Sequence, residues 1–349
     1  RLGVKSTIKE TRAETFLGVS SRGTLPVPLL YYGAHTGRWS GGGGLNLQNL
    51  TRGSRLRDAI LPPEGERLLV CDLSGIEMRV LAWFAGQGDV IDTVRKGEDV
   101  YCLMATSLYG RPITKKDKRE RQVGKILQLA CGYSMSWKMF AEYTAAQNMI
   151  FTAEDCEAMG VDMARARTMT KKSDLTPHEA AAWYAVSQYR SANWAIAGLW
   201  REAEQALHAI SAGHRIQVGH PEGVVFTSPQ GFDTPDGGII LYPGLTQDGK
   251  TWVKHSKEGT SYLHGGLVVE NIVQHLSRQI LSWQMLKAVQ AGLHVVLTCH
   301  DEIVCVAPEA EAEEQYAVLE RIMKTAPSWA VGLPLDAEGG TGANYGEAK

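Results

Sequence analysis

The chain has 349 residues, 44% hydrophobic and 21% charged, which suits one large domain with subdomains or two ordinary domains. A formal net charge of −2 excludes a uniformly basic nucleic-acid binder, so any basic surface must be local. No apolar run approaches the roughly 18 residues of a membrane span, no signal peptide opens the chain, and the six cysteines lack CxxC spacing, which reads as reduced core residues of an intracellular protein.

The sequence enters in mid-pattern at Arg1, which points to a further N-terminal portion ahead of it. Residues 1–32 mix Arg1, Lys5, Lys9, Arg12 and Arg22 with turn formers, and 25–32 reads as a short strand. Four glycines after Ser40 either allow close backbone approach or form a flexible loop. Asn46, Gln48 and Asn49 follow, then Arg52, Arg55 and Arg57. Amides interleaved with arginines suit phosphate and groove contacts, although a solvated face has the same composition.

Residues 68–71 form an apolar strand that breaks at Asp72, and a helix is expected over 76–84, with Glu77 on its first turn. An acid at the end of a buried strand is held rigidly at a sheet edge, where a metal can sit. The helix ends at Gly86 and Gly88, and 98–110 is again helix-like. The densest basic run then spans Arg111 to Lys125, on a helix expected at about 115–131. Arg121, Lys125 and Leu129 recur every four residues and so share one side, with Tyr133 near the end. Such a face can clamp a polyphosphate, or it can simply be solvated.

Residues 152–212 read as mostly helical, with Thr152 and Thr176-Pro177 as starts and Gly213 as a stop. Trp183, Trp194 and Trp200 are expected in helix packing. Residues 214–265 are rich in strands and turns, and a long helix at 267–291 aligns Glu270, Gln274 and Arg278. Two apolar runs over 294–306 then flank His300, Asp301 and Glu302, a buried hairpin with the acids at its turn. The acidic run from Glu309 to Glu314 is expected on the outer face of a helix, and 327–349 looks like a natural C-terminus.

Asp72 and Asp301 can meet at one sheet edge only if cations offset their repulsion, and Mg²⁺ takes such oxygen ligands. Two ions about 3.5–4 Å apart serve phosphoryl transfer. Acids for metals, a cationic helix for a triphosphate and an Arg/Asn/Gln segment for a duplex together describe a nucleotidyltransferase.

On these residues the chain resembles the polymerase portion of a family A DNA polymerase, of bacteriophage type. Asp72 to Arg79 is similar to motif A, Arg121 to Lys125 with Tyr133 to motif B, and His300-Asp301-Glu302 to motif C. Thr36-Gly37-Arg38 and Asn46 to Asn49 are similar to the primer–template segment, and Glu270 to Gln274 and the ending Pro327 to Leu335 to phage members. The matches keep family order from about residue 31 to 349.

The resemblance implies an α+β right-hand fold with an antiparallel palm sheet, helical fingers and a thumb largely missing. It implies a residual thumb base and primer–template segment over 1–60, palm over 61–86 and 214–349, and fingers over 87–213. Asp72 and Asp301 would bind two Mg²⁺ ions, supported by Glu302. Arg121 and Lys125 would hold the dNTP triphosphate, with Tyr101 beside it. Tyr133 would pack by the nascent pair, and Glu77 would exclude a ribose 2′-hydroxyl. Arg38, Asn46, Gln48, Asn49, Arg52, Gln274 and His300 would contact primer–template DNA. A monomer in the cytoplasm of a bacterial host is expected, with no membrane association. Proofreading, if the parent protein has it, would lie upstream, and accessory replication proteins are further possible partners.

Departures are Leu129, where many members carry an aromatic residue, Ser134 for a glycine, Gly75 for a glutamine, and no basic residue in Asp236-Gly237-Gly238. Two rival readings are a single-subunit RNA polymerase relative, which Glu77 opposes, and an inactive duplex-binding fragment.

Overall fold

The computed structural model describes residues 2–42, 46–50, 53–249, 251–256 and 259–348. It opens with helix α1 (Leu2–Ser20) and continues through strand β1 (Glu66–Leu73), helix α2 (Ile76–Ala85), helix α3 (Val100–Tyr109) and helix α4 (Lys118–Ala130). After further helices and short strands come helix α5 (Gly265–Gln290), strands β2 (His294–Cys299) and β3 (Glu302–Pro308), helix α6 (Ala312–Met323) and strand β4 (Ala337–Gly342). The class is α+β, as expected, with every described strand pair antiparallel.

The chain divides into two compact units. The first comprises residues 1–76, 274–331 and 335–349. Its sheet has the order β2-β3-β1-β4, so β1 is flanked on both sides by strands from the far end of the sequence. A strand in that position must bury both faces, which is why 68–71 is a continuous apolar run. Leu68 and Val70 face a core of Leu47, Leu50, Leu297, Val304, Val306 and Tyr345. Cys71, on the opposite face, meets Tyr316 of α6.

The second unit comprises residues 77–273 and 332–334. It contains α2, α3, α4 and helices at Gly88–Arg95, Trp137–Ala146, Ala153–Met159, Met163–Thr170, Pro177–Ala192 and Trp194–Ser211. A four-stranded and a three-stranded sheet occupy 217–263. The expected starts at Thr152 and Thr176 are both full capping boxes, each threonine hydroxyl accepting from the residue three on, whose carboxylate accepts in return.

Several expectations change. Residues 2–20 form one helix, although its polar sequence lacks an apolar stripe, and the strand expected at 25–32 shrinks to Leu29–Leu30. Asp72 lies inside β1 rather than beyond it, and Glu302 belongs to β3 and is buried, leaving His300 and Asp301 as the turn. Gly88 begins a new helix instead of closing the previous one. Trp194 is 68% exposed at a helix start, while Trp200 is buried with its indole N–H donating to the Gly132 carbonyl. All six cysteines are buried thiols outside any disulfide. No described helix is long and apolar enough to cross a membrane.

Candidate active site

The first unit gathers the acidic motifs by strand register. Asp72 lies directly opposite Glu302 on β3 and Glu338 on β4. Directly opposed residues of antiparallel strands project to the same face, so these three carboxylates share one. The Leu73 N–H donates to the Asp301 carbonyl at 3.0 Å, and the Ser74 N–H to the Asp336 carbonyl at 2.9 Å, which closes the sheet end around Asp72. Asp72 and Asp301 are partly exposed, whereas Glu302 is 1% exposed and turned inward, accepting from the Tyr345 hydroxyl. No group of three or more His, Cys, Asp or Glu that could hold a metal occurs among the described residues. The two metal ligands expected from the sequence, Asp72 and Asp301, lie near the end of β1 and in the turn before β3. Carboxylate oxygens fit Mg²⁺, which takes one or two protein carboxylates and fills its shell with water and substrate phosphate.

The residues expected at the primer–template are partly brought to the same turn. Asn46 caps the short helix Leu47–Asn49, its side chain accepting from the Gln48 N–H at 3.1 Å. His300, in the left-handed region at φ 55°, places Nε2 2.8 Å from the Gln48 carbonyl. Arg12 donates to the Asn49 carbonyl at 3.1 Å. His275 Nδ1 lies 2.9 Å from the Thr36 carbonyl, so the segment carrying Arg38 is anchored one residue from Gln274 on α5. Gly37 at φ 76° is obligatory there, since a Cβ would meet the Tyr32 ring and His275. His275 is fully buried, which drives its pKa down to about 4, assisted by the Arg278 charge against the opposing bond to Thr36. Arg52 lies outside the described residues.

The second unit gathers the cations. Asp99 caps α3 by accepting from the Tyr101 and Cys102 N–H groups, and its other oxygen accepts from Arg121 Nε at 2.8 Å. Burial would raise the Asp99 carboxyl, but the bonds to Arg121 and the Cys102 N–H outweigh it and hold its pKa below the usual value. The Arg121 guanidinium lies 5.3 Å from the Tyr101 ring centre and Lys125 Nζ lies 5.8 Å from it. Tyr101, Arg121 and Lys125 thus form one cluster, with the Tyr101 face as the negative end of two quadrupole contacts. Gly124 makes this possible, because a Cβ there would run into the Tyr101 backbone carbonyl where α4 crosses α3.

Farther along α4, a cleft of about 610 Å³ is lined by Glu77, Leu129, Tyr133, Ser134, His264 and Glu270, among others. The Tyr133 hydroxyl reaches Glu77 Oε2 at 3.4 Å, and burial and the Glu77 charge raise its pKa, keeping it protonated as a donor. Leu129 is 52% exposed on this cleft. Ser134 sits at φ 66°, the conformation that makes glycine the ordinary choice at this place, and Gly266 leaves room for the Tyr133–Ser134 backbone. Arg190 donates to the Met135 carbonyl at 3.2 Å and braces the same segment.

Asp99, Gly124, Glu338 and Tyr345 were not singled out as site residues by sequence reasoning. Asp99, before an apolar helical run, carried an N-cap signal; Glu338 and Tyr345 carried none, and Arg57, read with Arg52 and Arg55 as suited to phosphate and groove contacts, is instead 7% exposed and donates to the Tyr345 hydroxyl.

Residues 9–156 match the sequence model of the family described as DNA polymerase family A. The chain is 28% identical over 303 residues to the DNA polymerase of Bacillus phage SP02, covering 81% of this chain and 42% of that one. It is 23% identical over 308 residues to the thermostable DNA polymerase I of Thermus aquaticus, covering 87% and 30%. A solved structure, the POL domain of Pol1 from M. smegmatis in complex with DNA primer-template and dNTP, superposes with a TM-score of 0.67 at 22% identity, covering 95% of this chain and 49% of that one. That likeness is one of fold, and the chain spans less than half the length of these relatives.

Proposed function

From its similarity to family A DNA polymerases, we propose that this chain is the polymerase portion of a template-directed DNA polymerase. The observation that carries the reading is the sheet register, in which Asp72 opposes Glu302 and its neighbour Leu73 bonds the Asp301 carbonyl. Two acidic motifs far apart in sequence become adjacent strand ends, as a paired-carboxylate site requires.

In this reading the primer 3′-hydroxyl attacks the α-phosphate of a dNTP, and the bond to pyrophosphate breaks. Asp72 and Asp301 would hold two divalent cations, Mg²⁺ by donor type, and such ions would supply activation of the attacking oxygen and stabilisation of the leaving one. Glu302 supports the turn that carries Asp301. Arg121 grips the triphosphate with its planar fork, held in place by Asp99, and Lys125 adds a point charge. Tyr101 steers both cations through its ring face. Glu77, bonded to Tyr133, fills the space that a ribose 2′-hydroxyl would need, which favours deoxynucleotides and argues against an RNA polymerase. Leu129 and Tyr133 flank the base pair. Arg38 and Gln274 read minor-groove acceptors common to all correct pairs, while Asn46, Gln48, Asn49, Arg52 and His300 steady the duplex. The Bacillus phage relative supports a role in phage DNA replication in the cytoplasm of a bacterial host.

Primer extension with Mg²⁺ and dNTPs tests the proposal. Full-length product from the wild-type chain and none from Asp72→Ala is expected. Tight primer–template binding without extension by the wild type would leave only a duplex-binding fragment, and preference for rNTPs would turn the assignment to an RNA polymerase. Glu77→Ala should raise ribonucleotide incorporation by about 10- to 100-fold; an unchanged rNTP/dNTP ratio refutes the gate.

A further inference from the structure

Glu302 begins β3 immediately after Asp301 and is 1% exposed. A carboxylate so buried is costly unless donors surround it. One donor is Tyr345, which follows β4 and is fully buried, its hydroxyl donating to Glu302 Oε1. The same hydroxyl accepts from Arg57 Nη2 at 2.8 Å, and the Arg57 guanidinium lies 4.3 Å from the Tyr345 ring centre. Arg57, only 7% exposed, therefore offers its charge to Glu302 through a tyrosine rather than directly. Burial and the Glu302 charge raise the Tyr345 pKa, so the hydroxyl keeps the proton it donates.

The tyrosine is itself locked. Its N–H donates to the Ile60 carbonyl at 3.0 Å, and the Ala348 N–H returns to Asn344 at 3.2 Å. A Cβ on Gly346 would collide with the Asp58 carboxylate, so the turn fits closely against residues 57–60. The Tyr345 ring packs among Leu68, Val70, Val304 and Val306, the residues of β1 and β3 that lead to Asp72 and from Glu302.

We propose that Tyr345, backed by Arg57, is a positioning residue that pins the Glu302 carboxylate and thereby fixes the backbone of the Asp301 turn. This rests on the polymerase reading for its catalytic consequence, but not for the pinning itself. Pinning the side chain at the first residue of β3 leaves the preceding turn little freedom, and that turn supplies the carbonyl bonded by Leu73.

Tyr345→Phe keeps the ring and removes the donor. The expected result is a loss of kcat of about 10- to 100-fold, with KM for dNTP and Kd for primer–template within about twofold of wild type. Arg57→Lys should lose kcat in the same sense, and the double variant should lose less than the product of the two single losses. Val306→Ala, a cavity in the same core, should lower Tm and keep kcat. Wild-type kcat in Tyr345→Phe, or an equal loss in Val306→Ala, overturns the proposal. Amide hydrogen exchange at residues 300–303 is measured on the same proteins, because it needs no activity. Faster exchange in Tyr345→Phe than in Val306→Ala supports the pinning and unchanged exchange overturns it, whereas a wild-type chain that extends no primer would count against the polymerase reading instead.

Discussion

The acidic sheet end of the first unit and the cationic face of α4 in the second are built in opposite ways. Around Asp72, position comes from a four-stranded register, backbone bonds on both sides and a buried Arg57–Tyr345–Glu302 chain. Around Arg121, it comes from one ion pair to Asp99, two cation–ring contacts and a helix crossing that depends on a single glycine. In the proposed reading, groups that hold a fixed separation during the reaction sit at the end of a buried strand and the adjoining turn. Groups that would capture and release a charged substrate sit on a partly exposed helix, where solvent screens them and side chains can adjust.

Acidification is the largest stress on the buried side. His275 is neutral in the fold with a pKa of about 4, below its ordinary 6.5. The unfolded chain therefore binds the proton first, and the stability present above pH 6.5 is lost as pH falls toward 4. At roughly 1.4 kcal/mol per pKa unit this loss is about 3 kcal/mol. Denaturant melts between pH 7 and 4 should show it, and His275→Gln should flatten the slope. An unchanged slope would mean that His275 does not share in the rigidity of the first unit.

Gly124→Ala probes the opposite region. The added methyl must displace α4 from the Tyr101 carbonyl, with an expected stability loss of about 1–3 kcal/mol. KM for dNTP should rise on the order of tenfold if the crossing sets the clamp. A variant with normal Tm and KM would show that α4 needs no close packing.

Asp99→Asn should act more weakly. It keeps the cap of α3 but removes the charge from a pair in which Arg121 is about one-third exposed, so stability should fall by no more than about 1 kcal/mol. The KM for dNTP should become more sensitive to salt. A large stability loss would place the pair with the buried networks and erase the contrast.

Much of this was legible from the amino acids. The apolar run 68–71, the hairpin over 294–306 and the helix starts at Thr152 and Thr176 follow from burial, pattern and capping alone. The spacing of Arg121, Lys125 and Leu129 by itself puts them on one helix side. What stayed hidden depends on partners distant in sequence. Arg57 and Tyr345 meet only because β4 returns beside β1, and Glu338 joins Asp72 by that same pairing. Helix α1 has no apolar stripe to announce it, and Trp194 reads as a core residue until its place at an exposed helix start is seen.

The most direct test of the account is single-turnover addition of one dNTP to a primer–template by the wild type, Asp72→Asn and Arg121→Ala. The account predicts a fall in the chemical rate on the order of a thousandfold for Asp72→Asn with dNTP affinity nearly kept. For Arg121→Ala it predicts the main loss in dNTP affinity, with primer–template binding intact. A normal chemical rate in Asp72→Asn, or lost DNA binding with intact dNTP kinetics in Arg121→Ala, would contradict it.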